Sequence, residues 1–307
     1  MQGPTEPRVV CGTRDRVGEC PVWSVAEQAL YWVDIEARRV HRYDWATCRE
    51  RSWLVAERVG CIALHADGGL LAAMETGLFH LRLGEAERAE ALCVQPVRFP
   101  RSGMRFNDGR CDREGRLWVS SMVMDMGLAD ASGALYRYDG TELRTLIARG
   151  LLTGNGLGFS ADGQVAYLSD SHPQARQIWR LDPRAACIQR EPFVDMRRLP
   201  GRPDGAAVDA QGNYWTCAND AGLLHCFAPS GRLECSVSVP TPKPSMCAFG
   251  GPDLAHLFVT SITPAAPVDG YDATMAGAVF VMEMDGVHGL AEVPFNPAFV
   301  SSTPGSH

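Results

Sequence analysis

Short apolar runs of five to seven residues, bounded by Gly, Asp and Asn, recur along the chain at nearly even spacing. They are rich in Val, Tyr, Phe, Trp and Leu, which suit a pleated, half-buried surface, and so predict β-strands. Four of the turns share one form: HADGGL from 65, DREGRL from 112, SADGQV from 160 and DAQGNY from 209. Their glycines, Gly68, Gly115, Gly163 and Gly212, lie 47, 48 and 49 residues apart. Each turn is followed by one strand-like run (LLAAME, LWVSSM, VAYLSDS, YWTCAN) and then by a second (GLFHLRL, GALYRYD, QIWRLD, GLLHCFA). The same pair recurs without the glycine turn as ALYWVDI with RVHRYD near the start, and as HLFVTSI with GAVFVME near the end.

Six units with a period in the forties and several short strands each predict an all-β, six-bladed β-propeller, in which every unit is a four-stranded blade around a central channel. No linker interrupts them, so residues 1–296 read as one domain. The segment Arg8 to Arg16 precedes the first unit and is expected to complete the last blade, closing the ring and removing open sheet edges. The stretch 297–307 is small, polar and Pro-containing, and is expected to be a disordered tail.

A repeat also indicates where a site would lie, because equivalent positions on the inner strands converge on the axis. The residues aligned upstream of each turn are Glu19, Cys61, Asn107, Asn155, Asp204 and Met246. Four of these six slots carry an acid or an amide, although the residues after them are largely apolar. Buried carboxylates are costly unless paired or bound to a cation. Two carboxylates with amide oxygens offer the hard donors that Ca²⁺, Mg²⁺ or Mn²⁺ prefer. A plainer reading stands beside this one, since Asp108-Gly109, Asn155-Gly156 and Asp204-Gly205 are also tight-turn dipeptides. Arg105, two residues before Asn107, is either a surface charge or an axial clamp for an anion or hydroxyl.

Composition narrows the function classes. The 307 residues are 46% hydrophobic and 21% charged, as in ordinary globular proteins. With 29 Lys and Arg against 36 Asp and Glu, the net charge of −7 argues against nucleic acid as a partner. No apolar run reaches the ~18 residues of a membrane span, and the opening MQGPTEPR lacks the order of a secretory leader, so no membrane partner and a cytoplasmic location are expected. The 11 cysteines, an odd number without C-x-x-C spacing, read as reduced small hydrophobes. P-loop, EF-hand, H-E-x-x-H and G-x-S-x-G motifs are absent from the sequence, and GNGLG at 154–158 is a poor match to a dinucleotide fingerprint.

Six segments together carry a resemblance: GECPVW (18–23), LYWVDI (30–35), RFNDGRCDREGRLW (105–118), GNGLGFSADG (154–163), PDGAAVDAQGNYW (203–215) and AFGGPDLAHLFVTS (248–261). The chain resembles the regucalcin/gluconolactonase family, also called senescence marker protein 30, from about Gly18 to Phe295. The resemblance implies a six-bladed propeller with one divalent metal ion in the central channel, be it Ca, Mg, Mn, Zn or Fe(II). It places the ion on Glu19, Asn155 and Asp204, and the sugar on Arg105 and Asn107. It further implies hydrolysis of an aldonolactone, a small-molecule sugar lactone, to the sugar acid, with Asp204 as general base as well as ligand. Cys20 departs from the family, which usually has Gly there. Asp170 and Asn219 end the second strands of their blades and are expected either near the channel mouth or in turns. Three other classes compete: a calcium-binding regulatory protein without turnover, an aryl-ester or phosphotriester hydrolase on the same propeller, and a pure interaction propeller, which the polar axial slots disfavour.

Overall fold

A computed structural model describes residues 4–297 as six four-stranded antiparallel sheets, with three single-turn 3₁₀ segments between strands. The inner strands are Gly18–Ser24, Val59–Leu64, Met104–Cys111, Gly154–Phe159, Arg202–Val208 and Pro244–Gly250. Each packs against the next, and the last against the first, so the blades close into a ring. This is the predicted six-bladed β-propeller.

The ring follows from graded hydrophobicity. Second strands such as Ala29–Asp34 and Leu117–Val123 are buried throughout, whereas outermost strands such as Glu90–Pro96 and Leu233–Ser238 are largely exposed. The turn motif has its own cause. Asp112 accepts the amides of Glu114 and Arg116 on one carboxylate oxygen, and the Trp118 indole on the other at 2.8 Å. Asp209 repeats this with Gln211, Asn213 and Trp215. One carboxylate thus ties a turn to a core tryptophan in blades three and five, whereas the turns from 65 and 160 carry His65 and Ser160 in its place.

The first strand is shorter than the sequence suggests. Only Arg8–Val9 is strand, paired with Val281 and Phe280 on the outer edge of the last blade, and Val10 adds one amide bond to Val279 at 2.8 Å. Beyond it the chain bends at Cys11 and Gly12, where a polar run replaces the apolar one. The tail expected over 297–307 lies, beyond Pro297, outside the described residues.

A segment without a predicted role closes the other end of the channel. Residues 288–296 cross from blades five and six to blades two and three: Gly289 donates to Leu254, Phe295 bridges His65, and Asn296 donates to Gly115. Phe295 is buried and stacks on Tyr138 with centroids 5.4 Å apart. Glu292 pairs with Arg110 at 3.3 Å, and with Cys20, Ile62 and Met246 these residues line the channel floor.

Candidate active site

The six slot residues share a local irregularity. Every inner strand loses register with its neighbour at this point, between Glu19 and Val22, Val59 and Cys61, Phe106 and Gly109, Asn155 and Gly158, Pro203 and Ala206, and Pro244 and Cys247. β-bulges re-aim side chains and free backbone from the ladder. The Asn-Gly and Asp-Gly dipeptides therefore sit in bulges inside strands and not in hairpin turns. Blades one, three, four and five bring Glu19, Asn107, Asn155 and Asp204, while blades two and six bring the buried Cys61 and Met246.

Asn155 and Asp204 meet across the interface of blades four and five. The Asn155 amide donates to Asp204 Oδ1 at 2.6 Å and to Ser171 Oγ at 3.0 Å, and both residues are buried. Asn219 donates to the other Asp204 oxygen at 2.7 Å. Loss of water pushes the Asp204 carboxyl up to about 7, against the opposing pull of the Arg202 guanidinium and the Asn219 bond. Glu19 is raised well above the usual carboxylate range, first by desolvation and then by the charges of Asp204 and Asp108, so the three acids are close enough to repel.

This donor set fits a hard divalent cation. Asn155 Oδ1 is buried without a hydrogen-bond partner, an arrangement that a cation would satisfy. Among the described residues no three Asp, Glu, His or Cys side chains converge, so an ion here would take two carboxylates and an amide oxygen.

Arg105 and Asn107 also come together. Arg105 donates to Asn107 Oδ1 at 2.7 Å and to the Phe106 carbonyl at 2.8 Å, and Asn107 donates to the Gly154 carbonyl at 2.9 Å. One N–H of the Asn107 amide is left over. Burial pushes the Arg105 pKa down, opposed chiefly by Glu19.

Cys20 stands where the backbone is left-handed, with φ 49°, and its counterpart in blade four is Gly156, with φ 62°. Such a conformation favours glycine. The thiol points across to blade two, accepting from the Ile62 amide at 3.2 Å and donating to the Ile62 carbonyl at 3.3 Å. It is thereby turned toward the neighbouring blade and held there.

Asp170 and Asn219 end equivalent strands and have different jobs. Asp170 accepts the amides of Leu152, Thr153 and His172 at 2.7–3.1 Å, tying the entry of the inner strand Gly154–Phe159 to the turn after its own strand. Asn219 faces Asp204. Sequence reasoning missed Ser171, Asp108 and Arg202. Asp108 accepts the Leu157 amide at 2.8 Å, joining blades three and four, and leaves its second oxygen buried without a partner. A signal for Arg202 was present, because it precedes Asp204 by two residues as Arg105 precedes Asn107.

Residues 17–263 match the family described as the SMP-30/Gluconolactonase/LRE-like region. The chain is 35% identical to a 6-deoxy-6-sulfogluconolactonase of Pseudomonas putida over 281 residues, covering 91% of this chain and 94% of that one. It is 34% identical to a pentonolactonase of Haloferax volcanii over 288 residues, again 91% and 94%. Among solved structures, a calcium-binding protein, regucalcin, of Agrobacterium tumefaciens superposes with a TM-score of 0.85 at 24% identity, over 96% of this chain and 97% of that one.

Proposed function

Because the chain belongs to the SMP-30/gluconolactonase/LRE-like family, we propose that it is a lactonase, a hydrolase that opens a sugar lactone to the sugar acid with the help of one divalent cation. The reading is carried by the Asn155–Asp204 contact, in which Asn155 brings a buried amide oxygen without a partner to a carboxyl raised chiefly by burial, with Glu19 raised by burial and then by the charge of Asp204. The two lactonases at 34–35% identity over nine-tenths of the chain support the substrate class.

Glu19, Asn155 and Asp204 would hold the ion. When bound, a divalent cation supplies Lewis acidity to the carbonyl oxygen and stabilises the oxyanion. Asp204, which the bound cation would hold ionised, takes the proton from the attacking water. The water oxygen bonds to the carbonyl carbon, the ring C–O bond breaks, and the departing ring oxygen receives the proton. The new carboxylic acid then ionises, so each turnover releases one proton. Arg105, fixed by the Phe106 carbonyl and Asn107, presents its remaining N–H groups to the ring oxygens, and Asn107 presents its spare N–H.

Acid release from a panel of hexono- and pentono-lactones, with chelator and then with Ca²⁺, Mg²⁺, Mn²⁺, Zn²⁺ or Fe²⁺ restored, tests the reading. Sustained, cation-dependent turnover of a lactone supports it. Ion binding without turnover would make the protein a regulator, and turnover only of an aryl ester or an organophosphate in the same panel would change the reaction.

A further inference from the structure

Arg202 touches neither the slot residues of other blades nor, directly, Asp204, yet it reaches the partners of two of them. Its Nη2 donates to Asn219 Oδ1 at 3.2 Å, and Asn219 in turn donates to Asp204 Oδ2 at 2.7 Å. Its Nη1 donates to the Ser171 carbonyl at 2.7 Å, and the hydroxyl of that same Ser171 accepts from the Asn155 amide at 3.0 Å. Its Nε donates to Asp220 at 2.6 Å, which anchors the group from the exposed side. Asn219 and Ser171 are both buried, so neither can exchange these partners for water.

We infer that Arg202 is a positioning residue whose one planar guanidinium sets, through Asn219 and Ser171, the side chains of both Asp204 and Asn155. The amide of Asn219 has a single orientation because its oxygen is claimed by Arg202, and its N–H must therefore face Asp204 Oδ2. That leaves Asp204 Oδ1 as the oxygen turned toward Asn155. A fork of coplanar donors is required to reach three acceptors on two blades at once, and a lysine ammonium cannot replace it. The offset of Arg105 before Asn107 is the same, but Arg105 bonds its slot residue directly. The inference rests on the reading of Asp204 and Asn155 as ion-binding residues, and deepens it.

The test compares Arg202→Lys, Arg202→Ala and Asn219→Ala with wild type. Mn²⁺ binding is measured by electron paramagnetic resonance, and kcat and KM on the lactone turned over fastest; a circular dichroism melt confirms folding. Partners that orient a metal ligand are typically worth about 10–100-fold in affinity or activity. Arg202→Lys and Asn219→Ala should each weaken Mn²⁺ binding and lower kcat by that order, with KM within about threefold of wild type. Guanidinium in the buffer should restore part of the rate of Arg202→Ala, whereas ethylammonium should not. Asn219→Ala carries the test if the Arg202 variants do not fold. Wild-type Mn²⁺ affinity and kcat in folded Arg202→Lys or Asn219→Ala would overturn the inference, as would a loss that guanidinium leaves untouched. Full activity in Asp204→Ala would instead sink the underlying reading of the site; an inactive Asp204→Ala beside unaffected Arg202 and Asn219 variants sinks only the positioning role.

Discussion

The two ends of the channel are built from the same six strands on opposite principles. At the slot end Glu19 and Asp204 are crowded together with the unpartnered oxygen of Asn155, and both acids are held above their ordinary ionisation. At the floor Cys20, Ile62 and Met246 pack beneath a crossing segment, and the one charged pair, Arg110 with Glu292, is matched. Strain of the first kind is tolerated because the second end and the blade cores supply the stability. The difference predicts that substitutions at the slot end act on activity, and those at the floor on folding.

The largest effect should come from Asp204→Ala, which removes a ligand and the general base together and should lower lactone turnover by about 10³-fold or more. A variant retaining a tenth of the rate at saturating cation would remove Asp204 from the chemistry. Asn155→Ala should cost about 10–100-fold in cation affinity, measured by titration, with part of the rate recovered in excess cation. A rate still lost at saturation would give Asn155 a second role.

The floor should respond in the opposite way. Glu292→Gln leaves the Arg110 guanidinium, 11% exposed, without its partner. Breaking a fully buried pair costs 3–5 kcal/mol, so with this residual exposure about 1–3 kcal/mol is expected, or a Tm lower by roughly 2–8 °C. Its kcat/KM should stay within about twofold of wild type. A selective loss of activity with an unchanged melt would dissolve the contrast between the two ends.

A pH series sharpens the same comparison. The Asp204 carboxyl sits at about 7 in the folded chain against about 3.9 in an unfolded one. Between those values the folded protein binds more protons than the unfolded one, so this residue costs stability as pH rises through them. In excess chelator, the Tm of Asp204→Asn minus that of wild type should therefore be more positive at pH 8 than at pH 4.5, by roughly 2–6 °C. Hydrogen-bond changes shared by both pH values cancel in that difference. A flat profile would mean that Asp204 ionises normally. The smallest effect is expected at Asn107→Ala, where one orienting hydrogen bond of about 0.5–1.5 kcal/mol lowers kcat/KM roughly 2- to 13-fold and leaves cation affinity nearly unchanged.

The blades were legible because a repeat exposes itself through Gly68, Gly115, Gly163 and Gly212. The convergence of Asn155 with Asp204 was legible for the same reason, since both occupy one slot of that repeat. What escaped was aperiodic. Residues 288–296 occur once, and their contacts run to turns far away in the chain, from Phe295 to His65 and from Asn296 to Gly115. The roles of Arg202 and Ser171, and the choice between channel mouth and turn for Asn219, escaped for another reason: they depend on which rotamer meets which acceptor across a blade interface. No spacing rule encodes that, and Asp170, at the position equivalent to Asn219, instead binds the amides of Leu152 and Thr153 at the entry to its blade's inner strand.

The pairing of Arg8 with Val281 joins positions more than 270 residues apart. Translation proceeds at about 5–20 residues per second, so the first strand waits roughly 15–60 s on the ribosome for its partner to be made. Until then the five blades assembled from consecutive strands can form in order, and once Phe280–Glu283 emerges the sixth has an open edge there until Arg8–Val9 pairs with it. The vulnerable species of this protein is thus a nearly finished, unlatched ring, and its hazard is capture of that edge by a second chain before the nascent strand returns to cover it.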